Sequence, residues 1–286
     1  MGRRERSALS RFRQGGHAWW ETAISDVQPG RIVVRGERIE HLIESMSYAG
    51  VVGLMVGNLR LSNAQARLLE AALIAGVDHG VRAPSIAAAR MAATCGIPLN
   101  CAVATGINLL GDDHGGAGEA CMELLYEAAT RSAADATSLE SVATTLIAER
   151  LRSDERIPGF GHQLHKDEDP RRSPMLRLID RAIAAGEIKG SFARAGLALE
   201  RALARAKGRT LGLNVDGVTA IVYCELGLPP ASAKGLFCLS RGVGIVAHAL
   251  EEMQSGTRIK GPCPPGDDLV KYVGPADTSS TPRSGF

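Results

Sequence analysis

The sequence predicts a mainly α protein with one small β-hairpin towards its N-terminal side. Three observations lead there. Alanine and leucine dominate over β-branched and aromatic residues, with aromatics only 4% of the chain, a composition that favours helix. Helix start and stop residues punctuate the chain at helix-length intervals. No alternating βαβ rhythm and no internal repeat is present.

The elements follow in order. Arg31–Arg35 alternates as a short strand, and Arg35-Gly36-Glu37 makes a turn, so a hairpin is expected. Tyr48–Leu59 is apolar but falls short of the roughly 18–20 residues of a membrane span and contains glycines; it reads as buried core. Ser62-Asn63-Ala64-Gln65 has the form of a capping box leading into Leu68, Leu69, Ala72 and Leu73. Pro84 opens a helix over Ser85–Thr94 that Gly96 closes. Alanine-rich helices are expected over Leu99–Leu110 and Gly116–Thr130. Thr137-Ser138-Leu139-Glu140 reads as a second capping box before Val142–Leu151. Ser173-Pro174 starts a helix ended by Gly186, and Ser191–Ala206 follows. Val215–Leu226 is stopped by Gly227, Pro229 and Pro230. Ala231–Gln254 is long and apolar and is expected to be a central packed helix. After Gly256 the pattern dissolves into an irregular tail. That makes about ten helices.

At 286 residues the chain can bury a large core as one or two domains. A net charge of +2 is too small to argue for a nucleic-acid surface, and no run is long enough for a membrane helix. The basic block Arg3, Arg4, Arg6, Arg11 and Arg13 reads as a solvated terminus, with an organelle transit peptide as the sharper alternative that Glu5 weakens. The six cysteines form no CxxC pair. Reduced, buried thiols in a cytoplasmic protein are the default.

Three separated stretches carry the chemistry: GDDHGGAG around His114, IPGFGHQLHKDEDPRR around His162, and LNVDG around Asp216. His114 sits among glycines at an expected helix N-terminus, which would lower its pKa and keep it a neutral donor. The plainer reading is a helix start opened by Asp112 and Asp113. HGG also occurs in esterase oxyanion loops, but no GxSxG elbow is present. Pro158-Gly159-Phe160-Gly161-His162 bares its backbone before Lys166 and Asp169-Pro170-Arg171-Arg172. Such a loop would surround an anion and a nucleotide tail. It is not GxGxxG, and no strand precedes it. His162 and His165 form an HxxH pair without a convincing third or fourth ligand, so no metal is expected. Asp216 reads equally as a capping residue, with Asn214, or as a catalytic carboxylate. Arg241 interrupts an apolar helix, so a protein carboxylate or a bound ligand should face it.

Together these stretches resemble the citrate synthase family, most closely its citryl-CoA lyase branch, over roughly Gly30–Gly274. VDHGVRAPSIAAARMAA is similar to the family's DHE-type segment and GDDHGGAGEA to its LHGGANEA. GFGHQLHKDEDPR is similar to GFGHRVYKNYDPR, LNVDGV to the NVD stretch, and FCLSRGVGIVAHALEE to the final SR-G helix. The resemblance implies a citrate synthase-like multi-helical two-domain fold: residues 1–114 and 225–286 as the large domain, truncated relative to citrate synthase, and 115–224 as the small, moving one. It implies His114, His162 and Asp216 as catalytic groups, and His79, Arg171 and Arg241 as holders of substrate carboxylates. Pro158, Gly159, Phe160 and Gly161 would wrap coenzyme A, and Lys166 would contact a phosphate. TRIKGPCPP stands where the family has an arginine–proline pair reaching the neighbouring subunit's site, so Arg258 or Lys260 would substitute.

The activity implied is cleavage of citryl-CoA to acetyl-CoA and oxaloacetate, with the CoA thioester as substrate and neither metal nor covalent cofactor. His162 would accept the hydroxyl proton, His114 would hydrogen-bond the thioester oxygen, and Asp216 would return a proton to carbon. The alternatives are a citrate or 2-methylcitrate synthase, or a CoA-binding homologue without turnover, suggested by Gln163 and Gly261. A homodimer or larger assembly is expected.

Overall fold

The structure is a computed structural model. It describes residues 18–134, 137–264, 269, 273 and 274; the N-terminal basic block and most of the tail lie outside the described residues. Three short strands, β1 (Ser25–Gln28), β2 (Arg31–Val34) and β3 (Glu37–Arg38), form an antiparallel sheet in that order. The expected hairpin is β2–β3. Arg35 and Gly36 at its tip have φ of 51° and 87°, the left-handed pair that a two-residue turn of matching twist requires. The additional strand β1, SDVQ, carries one apolar residue and is exposed throughout, so alternation could not announce it.

Eleven α-helices follow among the described residues: α1 (Ile39–Ser45), α2 (Tyr48–Gly57), α3 (Asn63–Ala75), α4 (Pro84–Thr94), α5 (Leu99–Ile107), α6 (Ala117–Ala134), α7 (Leu139–Arg152), α8 (Arg172–Ala184), α9 (Ser191–Lys207), α10 (Val215–Glu225) and α11 (Ala233–Gln254). The Ser62 capping box is complete. Gln65 N–H donates to Ser62 Oγ at 3.2 Å, and Ser62 N–H donates to Gln65 Oε1 at 3.0 Å. The second box is not formed: Ser138, not Thr137, caps α7, its Oγ accepting from Ser141 N at 3.3 Å. Thr137 offers its carbonyl oxygen to Ser132 Oγ at 2.8 Å.

The chain divides into two compact units. One holds the residues up to His79 with Leu110–Val243, and the other holds Gly80–Leu109 with the residues from Gly244 on. Each has its own core. In the first unit α10 is the central helix, packed by α6, α9 and α3. Val218, Ala220, Ile221 and Val222 are fully enclosed, and Val218, Ile221 and Val222 each contribute roughly 1.5–3 kcal/mol. In the second unit α4 and α5 pack together around Ile86, Ala89 and Ala102, joined by Ile245 and Ala249.

Two expectations change. The central packed helix is α10, whereas α11 leaves Leu239 and Val243 at 43% and 62% exposure. Its first half buries only one stripe, including Leu236, Ser240 and Arg241. The thiols are likewise only partly buried. Cys121 and Cys224 are enclosed and Cys238 half so, while Cys95, Cys101 and Cys263 are exposed and all are reduced. Cys95 falls at the C-cap of α4 and Cys101 on the outer face of α5, positions where helical periodicity gives no inward direction.

Candidate active site

Every side chain of the site below belongs to the first unit. It is organised around two arginines. Arg241, on α11, is only 3% exposed. Its Nε donates to Gly76 O at 3.0 Å, and its guanidinium lies over the Phe237 ring at 5.0 Å. Burial pushes its pKa down, while Asp78 and Asp216 push it back up. A cation so enclosed needs negative charge beside it, and these two carboxyl groups supply part of it.

Arg171 stands at the N-cap of α8. Asp169, 4% exposed, takes its Nε and Nη2, each at 2.8 Å, and its backbone N–H at 3.0 Å. The same carboxylate accepts from Val215 N at 3.1 Å, the first residue of α10. The next residue is Asp216. Burial raises its pKa, and Arg171 and Arg241 oppose the rise. No hydrogen bond reaches its carboxyl among the described residues, and the cap of α10 is Asn214, whose side chain accepts from Gly217 N at 3.1 Å. Asp216 is therefore not a capping group. Arg172, grouped with Arg171 as an anion contact in the sequence reading, is engaged elsewhere. Glu200 takes its Nε and Nη2 at 2.9 and 2.6 Å and accepts from Leu213 N at 2.7 Å, fixing the approach to α10.

The GFGH loop is welded to that same helix start. Asn214 N donates to Gly159 O at 3.0 Å, Asn214 Nδ2 to Gly161 O at 2.8 Å, and Gly161 N to Gly212 O at 2.8 Å. The approach is so close that a Cβ on Gly217 would overlap the Gly159 carbonyl oxygen, and one on Gly159 would overlap Cys121 Sγ. Gly159 also has φ of 86°, which suits only glycine comfortably.

Three imidazoles close the site. His79, beyond α3, lies edge-on to His162 with ring centroids 5.0 Å apart and to His165 at 5.7 Å. His162 and His165 are 4.5 Å apart. His162 Nδ1 accepts two backbone N–H groups, from Leu164 and His165, both at 3.1 Å. Its neutral ring must therefore carry the proton on Nε2. Burial lowers the pKa of His162, then the nearby His165. His79 is lowered by burial, Arg171 and Arg241. His114, in the loop before α6, exchanges backbone hydrogen bonds with Gly111, both at 3.0 Å. It too is lowered, by burial first and then by Arg241 and His79. The lowering expected for His114 has burial as its first cause and a nearby cation as its second. His114, His162, Asp216, His79, Arg171 and Arg241 thus act on one another's charge as one cluster.

Phe160, His162, His165, Lys166, Arg209 and Asn214 lie around an adjoining cavity of about 310 Å³. Lys166 is exposed on its edge, Gly161 lines it, and Pro158 and Gly159 support the loop from behind. Arg209 was missed from sequence because it falls in a polar stretch without a motif. Arg258 and Lys260 belong to the second unit and are exposed. Lys260 Nζ lies 3.8 Å from Glu252, and backbone N–H groups of Ile259 and Lys260 donate to Thr94 at 3.0 Å.

His79 supplies the third member that the HxxH pair lacked, with ring nitrogens of the three histidines within 4.8 Å of one another. The donor set nevertheless suits a cation poorly. His162 presents an N–H rather than a lone pair, and Arg171 and Arg241 add positive charge.

A helical fold that gathers three histidines, two arginines and a buried carboxyl into one cluster defines a candidate site for an anionic ligand. Known proteins of this construction narrow it further. The family described as citrate synthase, C-terminal domain, matches residues 57–262, and the chain belongs to the citrate synthase family. Citrate synthase of Haloferax volcanii is 28% identical over 87% of this chain and 61% of its own length. Citrate/2-methylcitrate synthase of Bacillus subtilis is 30% identical over 86% and 61%. The chain thus spans about three-fifths of the length of these two curated relatives. The citryl-CoA lyase structure of Hydrogenobacter thermophilus superposes with a TM-score of 0.79 and 32% identity, covering 91% of this chain and 96% of that one.

Proposed function

We propose that the protein is a citryl-CoA lyase, cleaving citryl-CoA to acetyl-CoA and oxaloacetate. One observation supports the reading: His114, His162 and Asp216, from distant parts of the chain, each lie within electrostatic reach of Arg171 or Arg241. The end-to-end likeness to a compact lyase supports cleavage over synthesis. Coenzyme A would lie in the cavity beside the GFGH loop, with Lys166 and Arg209 towards its phosphates.

The residues then divide the work. Arg171, Arg241 and His79 hold substrate carboxylates. As the carbon–carbon bond breaks, the hydroxyl proton leaves to solvent and His162 Nε2–H donates to the oxygen that becomes a ketone. With Nδ1 held by two backbone N–H groups, the ring is a donor here rather than the proton acceptor that the resemblance implies. His114 donates to the thioester oxygen while the acetyl fragment is an enolate. Asp216, whose burial favours its protonated form, delivers a proton to carbon and is reprotonated from solvent. Each positioned group is worth roughly 10²–10⁴-fold.

The second reading is a citrate or 2-methylcitrate synthase, favoured by the names of the curated relatives. Mass-spectrometric assay separates the two: the lyase releases acetyl-CoA from citryl-CoA, whereas the synthase releases free CoA thiol from an acyl-CoA and a keto acid. Calorimetric binding of CoA and oxaloacetate without either turnover would show a non-catalytic homologue. Exposed Leu239 and Val243 on α11 are proposed to pack in a homodimer, with Arg258 or Lys260 reaching the partner's site and residues 115–224 moving on closure. Sedimentation of the wild type and a Val243→Glu variant tests the dimer.

A further inference from the structure

The mechanism above leaves one member of the imidazole cluster without a task. His165 is half-buried between two chemistries: it borders the cavity beside the GFGH loop and faces His79 and His162. Its backbone N–H is already used on His162 Nδ1, so its ring is free to serve separately. Ring nitrogens from the three histidines lie within 4.8 Å of one another. That spacing lets His79 and His165 converge at hydrogen-bond distance on the two oxygens of one carboxylate, next to the substrate oxygen assigned to His162 Nε2–H. The nearest enclosed carboxylate, Asp169, is committed to Arg171 and Val215 and cannot fill the space. Arg171 and Arg241 add positive field from behind.

We propose that His165 is a substrate-binding residue that, with His79, forms a two-imidazole cradle beside His162, selecting keto acids that carry a second carboxylate. The inference rests on the carbon–carbon lyase reading for its substrate and adds a residue and a selectivity to it. A keto monocarboxylate would leave the cradle's donors facing nothing, and an unpaired buried donor set rejects a ligand more strongly than a missing methylene does.

The test compares wild type with His165→Phe, which keeps the volume and removes the donor, and His165→Gln, which restores an N–H. Both keep the backbone N–H that holds His162. Binding of citrate, oxaloacetate and 2-oxobutanoate is measured calorimetrically, with steady-state turnover alongside and a parallel titration with zinc chloride. In His165→Phe, dissociation constants and KM for the dicarboxylates should rise about 10–100-fold, the loss typical of one charged hydrogen bond. The effect should be concentrated in KM rather than kcat. Preference for oxaloacetate over 2-oxobutanoate should fall by the same factor, and His165→Gln should recover part of it. Unchanged dicarboxylate binding in His165→Phe overturns the proposal. So does zinc binding that is lost in His165→Phe while citrate binding is not, which would make the cluster a metal site. A wild type that binds citrate with this His165 dependence but turns nothing over refutes the lyase reading and leaves the cradle standing; one that binds no dicarboxylate refutes both.

Discussion

The Asp169 carboxylate joins Arg171 to the first residue of α10, Val215, through hydrogen bonds of 2.8–3.1 Å. The guanidinium proposed to hold substrate and the helix start that carries Asp216 are thereby positioned by one buried group. Arg171 keeps its orientation only while that group is ionised. Asp169 has its pKa lowered by Arg171 against the opposing effect of burial.

Replacing Asp169 by asparagine should therefore act on both. KM for the carboxylate substrate is expected to rise about tenfold or more, and stability to fall by about 3 kcal/mol, as when one member of a buried ion pair is removed. Urea unfolding and steady-state kinetics check the two effects separately.

Gly217→Ala should reduce kcat by about 10²-fold, the scale of an ångström's misplacement of catalytic groups. The added methyl meets the Gly159 carbonyl oxygen, forcing the GFGH loop away from α10. Far-ultraviolet circular dichroism should remain native, because the change is confined to one loop. A variant with wild-type kcat would show that the contact is not needed.

Glu200→Ala leaves Arg172 and Leu213 N without their common partner. A loss of about 3–5 kcal/mol is expected, read from denaturant midpoints. Hydrogen exchange at Leu213 should rise well before that of the α10 interior.

The titrating groups pull stability in opposite directions. His79, His114 and His162 have lowered pKa values in the fold, so the unfolded chain, with imidazoles near 6.5, binds more protons in the window just below that value. Their contribution is complete above about pH 6.5 and is lost as pH falls through the folded values. Asp216 is raised, so its contribution is complete below about pH 3.9 and is lost as pH climbs through its folded value. Asp216→Asn should therefore be more stable than wild type at pH 7, by about 2–4 °C for each kcal/mol recovered, while losing turnover. Thermal melts at pH 4 and pH 7 should show the difference shrinking at the acid end.

What the sequence disclosed follows from the range of each signal. The Ser62 box, Pro84 and Gly227 act within a few residues, and each marked a real boundary. His114, His162 and Asp216 stood out because glycines or a helix start exposed them locally. Asp169 and Glu200 did not stand out. Their partners Val215 and Arg172 lie 46 and 28 residues away, and no local pattern pairs residues so far apart. His165 was visible only as half of HxxH, since the residue that completes its cluster, His79, belongs to another motif. The tautomer of His162 was beyond reach, because it depends on where two peptide N–H groups point.

That last dependence has an evolutionary corollary. The groups dictating which nitrogen of His162 bears hydrogen belong to the polypeptide itself, at Leu164 and His165. Exchanging either side chain leaves that instruction in place. Only proline, or a change in loop length, can rewrite it. Drift at these two sites thus leaves the parked proton undisturbed.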